Sequence, residues 1–437
     1  MLMLVEFSVG NYLSFKDIST FSMVASNIKE HRDTNIFQGN KYFNLLKSSV
    51  IYGSNASGKS NLFKAMDFMR QFSLYSSNYP SKKSPGSERI KVENFKLSTE
   101  TKDQPSYFEI VFIKNGVKYR YGFQVDTLVV KREWLFYAPK KKEHRLFFRN
   151  ENSFEIDAGF EEGKGLEGKT RKDALFLSIV GMLDGKISRE IFDWFENFKI
   201  ITNLHSAMQD YYYVVTSDLL EDEEFKHTAI QFLQSADLGI EDIEVSKMDI
   251  QYEFLPENMQ QPIRDIVTNV DYIPLAEMLT TEVFISHKKY DENKNVVGLE
   301  KFDLRSMESH GTKKLFSLLG PMIFALETGG ILAVDELDAS LHSLITKFII
   351  DLFNSKQYNE NNAQLIFNTH DTNLLSNKIL RRDQIWFSEK NRYGATDLYS
   401  LAEFKIRNDA SFQKSYLQGK FGSIPFVDQL SLNEEKN

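Results

Sequence analysis

The chain has 437 residues, 42% of them apolar, 26% charged and 13% aromatic, with no cysteine and a formal net charge of −8. The missing thiols exclude disulfide frameworks, zinc ribbons, iron–sulfur ligation and thiol catalysis, so metal chemistry must use Asp, Glu, His or hydroxyl oxygens. The acidic balance, 61 Asp and Glu against 53 Lys and Arg, argues against non-specific coating of nucleic acid. At roughly 100–200 residues per domain, the length allows two or three units, or one core with a large insertion.

The opening Met1-Leu2-Met3-Leu4-Val5 has no basic flank and is interrupted at Glu6, far short of the roughly 20 residues of a spanning helix. Later apolar runs are no longer than Gly330–Val334. A soluble, cytoplasmic protein without a membrane partner is expected. Leu4–Val9 alternates as a strand does, and Ser48–Tyr52 is a second short β-type run ending at Gly53. After Gly58 the apolar residues Leu62, Phe63, Ala65, Met66, Met69 and Phe72 follow helical spacing. That helix should end before Tyr79-Pro80, with an exposed loop to Ser87.

From Ser106 to Tyr137 the period is two, around the turn Asn115-Gly116, which predicts a β-meander. Gly159–Lys172 is rich in glycine and charge and reads as a mobile loop. Helical patterns dominate from Ala174 to about Ile240, and the acidic Asp218–Glu224 suits a helix N-terminus. The stretch Asp242–Glu282 has no clear period. Beyond it, a strand at Val283–Ser286, a helix at Ser309–Leu326, a buried strand at Gly330–Val334, a helix at Leu341–Phe353 and buried strands at Gln364–Asn368 and Gln384–Phe387 follow in turn. Buried strands alternating with amphipathic helices predict a parallel α/β sheet. No internal repeat and no long heptad run is visible.

The sharpest motif is Gly53-Ser54-Asn55-Ala56-Ser57-Gly58-Lys59-Ser60, a complete GxxxxGKS loop between a strand and a helix. Its glycines let backbone N–H groups turn toward phosphate oxygens, and the helix N-terminus adds partial positive charge. Lys59 would reach the β- and γ-phosphates of ATP and Ser60 would ligate Mg²⁺. Asn55 within the loop and Asn61 just after it join the expected nucleotide-binding set. Far downstream, Asp335-Glu336 ends the buried run Gly330–Val334. Asp335 is the second expected Mg²⁺ residue and Glu336 the group that polarises the attacking water. His370, after Gln364–Asn368, lies where an imidazole could donate to the γ-phosphate. Ser309-His310-Gly311-Thr312 opens a helix, either as a phosphate-binding terminus or as a simple N-cap.

The order of Gly53–Ser60, Ser309–Gly311, Asp335–Glu336, Asp338-Ala339-Ser340-Leu341-His342 and His370 resembles the ABC-type ATPase heads of the SMC and overcoming-lysogenization-defect group. The opening Val5–Asp17 and the C-terminal stretch from Arg381 look like the ends of the RloA/AbiLi-type and PARIS-type (AriA-like) ATPases of bacterial anti-phage defence. The resemblance implies an α/β P-loop ATPase head: a mixed or parallel sheet with an antiparallel β subdomain and a largely helical insertion. It divides the chain into 1–175, 176–282 and 283–437, the middle part being the insertion. Ser309 and Gly311 fall in the signature helix that contacts ATP held by the partner subunit, Asp338 in the loop crossing the dimer interface, and His370 at the switch. The chain departs from transporter heads in reading Glu-Ser-His-Gly-Thr-Lys at 308–313. The glutamine that usually lies between loop and signature is not evident, Gln124 being a weak candidate.

The resemblance further implies a homodimer or higher oligomer around two ATP molecules, a phage-derived trigger and a separate effector protein, a Toprim-like nuclease or a toxin. The acidic residues after His370 are scattered, and no nuclease domain of the chain's own is expected. A DNA-repair or chromosome-organising ATPase would share the motifs but should carry heptad arms, and a slow-hydrolysing sensor would share them all. No N/T-K-x-D element for reading guanine is found. Lys140-Lys141-Lys142, His144, Arg145 and Lys131-Arg132 form basic clusters, read first as solvated loops and only second as a surface for nucleic acid or an acidic protein.

Overall fold

The computed structural model describes residues 2–78, 90–202, 207–236, 238–247, 280–407 and 410–424. In chain order the strands are β1 (Leu2–Gly10), β2 (Ser19–Ser22), β3 (Ile36–Gln38), β4 (Asn44–Leu46), β5 (Ser48–Tyr52), β6 (Ser106–Lys114), β7 (Val117–Val125), β8 (Val130–Ala138), β9 (His144–Asn150), β10 (Ser153–Ile156), β11 (Phe198–Ile201), β12 (Ile240–Lys247), β13 (Thr281–Tyr290), β14 (Val296–Asp303), β15 (Ile331–Val334), β16 (Gln364–Asn368), β17 (Ile385–Lys390) and β18 (Thr396–Ser400). The helices are α1 (Lys59–Tyr75), α2 (Phe176–Gly181), α3 (Lys186–Glu196), α4 (Ala207–Leu219), α5 (Glu223–Ser235), α6 (Leu304–Met307), α7 (His310–Thr328), α8 (Ser343–Asn354) and α9 (Phe412–Leu417).

Two sheets carry the fold. One is antiparallel, in the order β10-β9-β8-β7-β6-β1-β2, and the other runs β11-β15-β16-β5-β17-β18, parallel except at the β17–β18 edge. Side chains alternate across the parallel strands. Ile51, Ala333 and Ile366 join the core formed with α1 and the antiparallel sheet. Val50, Tyr52, Leu332, Val334, Leu365 and Phe367 join the core formed with the helices of the opposite face, including α7 and α8. Burial on both faces explains why these strands read as unbroken apolar runs.

A buried Gln364 ties the two sheets together. Its Oε1 accepts from Leu4 N at 2.6 Å and its Nε2 donates to Leu46 O at 3.0 Å, beside the bulge between Leu4 and Glu6. The stretch 176–282, set apart in sequence as the insertion, holds α2–α5 but also β11, the edge strand of the parallel sheet, and β12, which pairs with β13. Its described part is therefore woven into the sheets. Gly159–Lys172 differs from the expected mobile loop: it forms two short 3₁₀ turns with Phe160 and Leu166 buried, Phe160 packing on Phe147 and Phe176. Two anchors six residues apart are too sparse to register as a period. The expected loop from Tyr79-Pro80 to Ser87 lies outside the described residues.

Glu133 fastens the antiparallel sheet to α2. It is fully buried; its carboxylate accepts from Phe176 N at 2.6 Å, Leu177 N at 2.9 Å and Tyr121 Oη at 3.0 Å, and lies 3.6 Å from Arg149. Glu133→Gln turns one acceptor into a donor facing donors, and should cost about 1–3 kcal/mol of stability. The check is the urea midpoint of unfolding, and an unchanged midpoint would contradict this account.

Candidate functional site

β5 ends at Tyr52, and Gly53–Gly58 turns the chain into α1. The turn is tight: Ala56 has φ 61° and Gly58 φ 110°. A Cβ at Gly58 would lie 2.2 Å from Thr396 Oγ1 and 2.8 Å from Ser14 Oγ, and one at Gly53 would lie 2.4 Å from Ser388 O. Only glycine fits either position. The outer strands hold the loop from behind, Ser388 Oγ donating to Ser57 O at 3.1 Å and Thr396 Oγ1 lying 2.8 Å from both Ser57 O and Ser14 Oγ. The helix N-terminus has no side-chain cap, so its amide groups remain for an anion. Lys59 is buried and donates to Gly53 O at 2.8 Å and Ser54 O at 3.1 Å. Burial draws its ammonium down to about 8, against the pull of Asp335, Glu336 and Asp338.

The carboxylates meet this loop at the C-terminal ends of neighbouring parallel strands. Ser60 Oγ donates to Asp335 Oδ1 at 3.0 Å, and the Asn368 amide nitrogen donates to the same oxygen. Asn368 Oδ1 in turn accepts from Glu336 N at 2.6 Å. Burial raises the Asp335 carboxyl above its ordinary range, opposed by the hydrogen bonds from Asn368 and Ser60. Glu336 has φ 54°, a conformation that costs a non-glycine residue of order 1–3 kcal/mol and that its surroundings must impose.

Asp338 Oδ2 accepts from His370 N at 3.2 Å, while its buried Oδ1 has no hydrogen-bond partner among the described residues. The His370 imidazole is pulled below its ordinary value by burial and then by Lys59, with the three carboxylates opposing. On the other side stands α7. Ser309 Oγ caps it by accepting from Thr312 N at 3.1 Å, and a Cβ on Gly311 would lie 2.8 Å from Ser340 O. One turn on, the buried Lys314 donates to Glu336 O at 2.7 Å. Burial draws Lys314 to about 8, with Asp338, Glu336 and Asp335 opposing.

A GxxxxGKS loop, a hydroxyl–carboxylate pair and the left-handed Glu336 thus meet at one end of a parallel sheet. Residues 48–376, about three quarters of the chain, match the model of the family described as "AAA domain, putative AbiEii toxin, Type IV TA system". The chain belongs to this AAA family. No curated protein matches it. The matched span opens on the first residue of β5 and includes Lys59, Ser60, Asp335, Glu336, Asp338 and His370.

In this AAA chain those six residues, with Gly53 and Gly58, share one locus, whereas Ser309 and Gly311 border Ser340 at the start of α7. Asn55 is exposed in the loop, and Asn61 Nδ2 donates to Ser14 Oγ at 2.7 Å. Gln124 pairs with Tyr107 and Arg132 within the antiparallel sheet. Sequence reasoning missed Lys314, Asn368, Ser14 and Thr396. For Lys314 a signal existed, since it stands four residues before the buried Leu318 of a helix with a long apolar face. Of the basic clusters, Arg145 pairs with Glu155 and Asp157, and Lys131 with Asp126 and Glu151. Lys140, Lys141 and Lys142 are exposed. Among the described residues no helix is long and apolar enough to cross a membrane.

Proposed function

We propose that this AAA-family chain binds and hydrolyses ATP as an ABC/SMC-like head, and that its nucleotide state governs a separate effector protein. The reading rests on one observation: the hydrogen-bonded series Ser60, Asp335, Asn368, Glu336, which runs from the start of α1 to the ends of β15 and β16. The loop amides and Lys59 hold the β- and γ-phosphates. Ser60 and Asp335, a hydroxyl and a carboxylate 3.0 Å apart, are hard oxygen donors suited to Mg²⁺ and would hold it. When bound, that ion neutralises charge developing on the phosphate oxygens. Glu336 orients the attacking water and takes its proton, and His370 faces the γ-phosphate as a donor. Transfer is to water, giving ADP and inorganic phosphate.

Ser309 is exposed at the start of α7, its hydroxyl bonding only within that helix among the described residues, which supports its use by a second copy. Two heads then enclose two ATP molecules, each copy's α7 completing the other's site, with Asp338 at the seam. The effector reading is supported by the family description, which names a toxin and a type IV toxin–antitoxin system, and by the resemblance to the OLD, AbiLi-type and PARIS-type ATPases. We read the role as anti-phage abortive infection with a nuclease or toxin as partner.

Complementation in trans tests the shared site. Lys59→Ala and Ser309→Arg should each abolish turnover alone. Mixed in equal amounts, they should regain about a quarter of wild-type phosphate release, because half the dimers are mixed and each holds one intact site. No recovery on mixing, with dimers present by light scattering, would sink the sandwich.

A further inference from the structure

A second cavity lies away from the phosphate loop, between α1, β11, α4 and α7, with a volume of about 490 Å³. That is the size range of small-ligand sites, roughly 300–1,000 Å³. Its lining includes the cations Arg70 and Lys199, the carboxylate Asp67, and Tyr211, Tyr212, Pro321 and Phe324. Arg70 Nε donates to Phe195 O at 2.9 Å. The Lys199 ammonium lies 5.4 Å from the Phe324 ring centre, and among the described residues no carboxylate lies within ion-pair distance of it. Two cations therefore share a partly dry lining. Burial and then Arg70 hold Lys199 below its ordinary value, with Glu196 opposing. Asp67, also in the lining, is itself held up by burial, with Arg70 and the Gln71 hydrogen bond opposing. An anionic group offers both cations an ion-pair partner that the described residues do not, and a planar ring finds aromatic faces in the same lining.

We propose that this cavity binds a small organic anion carrying a planar aromatic ring system, its charge on Arg70 and Lys199 and its ring against Tyr211, Tyr212 and Phe324. The position gives such a ligand leverage. Pro321 lacks the N–H that would bond the preceding turn and so interrupts the hydrogen-bond ladder of α7, a weak point in the helix. Beside it, Gly320 N donates to Thr216 Oγ1 at 3.1 Å, locking that point of α7 to α4. Upstream of Pro321 lie Ser309, Gly311 and Lys314; α1 begins at Lys59; β11 pairs with β15, which leads into Asp335. Occupancy of the cavity shifts α7 relative to α1, so the ligand regulates turnover. That regulation rests on the proposed hydrolysis, whereas the binding does not.

The binding test uses 8-anilinonaphthalene-1-sulfonate with the full chain carrying Lys59→Ala, so that the phosphate loop is out of play. Saturable fluorescence is expected, with affinity at least about tenfold weaker in Lys199→Glu, kept in Lys199→Arg, and weakened in Tyr211→Ala in the same lining. N-phenyl-1-naphthylamine, the same rings without the sulfonate, should bind Lys199 and Lys199→Glu chains alike. Equal affinity of the sulfonate for these two chains overturns the site, as does equal competition by the neutral compound. With Lys59 restored, the sulfonate should change phosphate release from the wild type and not from Lys199→Glu. Binding without that change overturns the regulation alone, and an absence of turnover in every chain counts against the proposed hydrolysis and not the cavity.

Discussion

Glu336→Gln is expected to bind ATP as tightly as the wild type and to lose steady-state phosphate release by roughly 10²–10⁴-fold, the usual contribution of a positioned general base. The substitution is nearly isosteric, and the contacts that fix this residue's backbone do not involve its carboxylate: Glu336 N donates to Asn368 Oδ1 at 2.6 Å and Glu336 O accepts from Lys314 at 2.7 Å. The φ of 54° is therefore retained, and an amide side chain stands where the carboxylate stood. It can still hydrogen-bond water, but it cannot take a proton. Asp335, hydrogen-bonded to Ser60 at 3.0 Å, is untouched, so the groups that would hold Mg²⁺ and the phosphates remain. Equilibrium binding of a fluorescent ATP analogue together with phosphate release separates the two functions. Turnover within a factor of about two of wild type would remove Glu336 from the chemistry.

Why Glu336 was legible and its supports were not follows from how chain separation hides contacts. The loop Gly53–Ser60 carries its chemistry in its own spacing, and Asp335-Glu336 announces itself by interrupting a strand buried on both faces. The parallel sheet was legible for the same reason: Ser48–Tyr52 and Gln364–Asn368 match β5 and β16 residue for residue. Asn368, by contrast, acts on residues 32 and 33 positions away, and Thr396 on Ser14 at 382. A single sequence does not encode such pairs in any local pattern. β14 escaped notice because its first six residues are exposed on both faces and show no alternation. β11, four residues between helices, is held by its parallel pairing with β15 rather than by its own period.

Lys314→Met should leave ATP binding and stability nearly unchanged while lowering turnover on the order of 10²-fold. Two effects on stability oppose each other. The Glu336 carbonyl loses one of its two donors and keeps Ala339 N at 3.1 Å, a cost of about 0.5–1.5 kcal/mol. The desolvated ammonium, drawn down to about 8 by burial, disappears, and methionine fills the space of its stem with apolar atoms. Catalysis has no such offset. Lys314 connects α7 to the peptide that sets the position of Glu336, and through its charge to Asp338 and Asp335. Without it, the left-handed Glu336 keeps Asn368 on its N–H and Ala339 N on its carbonyl but loses its tie to α7, and can relax toward an ordinary conformation that swings its carboxylate off the line of attack. Lys314 is thus a positioning residue, and its signature is a split: kcat falls while nucleotide affinity and the thermal midpoint hold. A parallel fall of all three would make Lys314 a structural residue, and an unchanged kcat would show that Glu336 is held without Lys314.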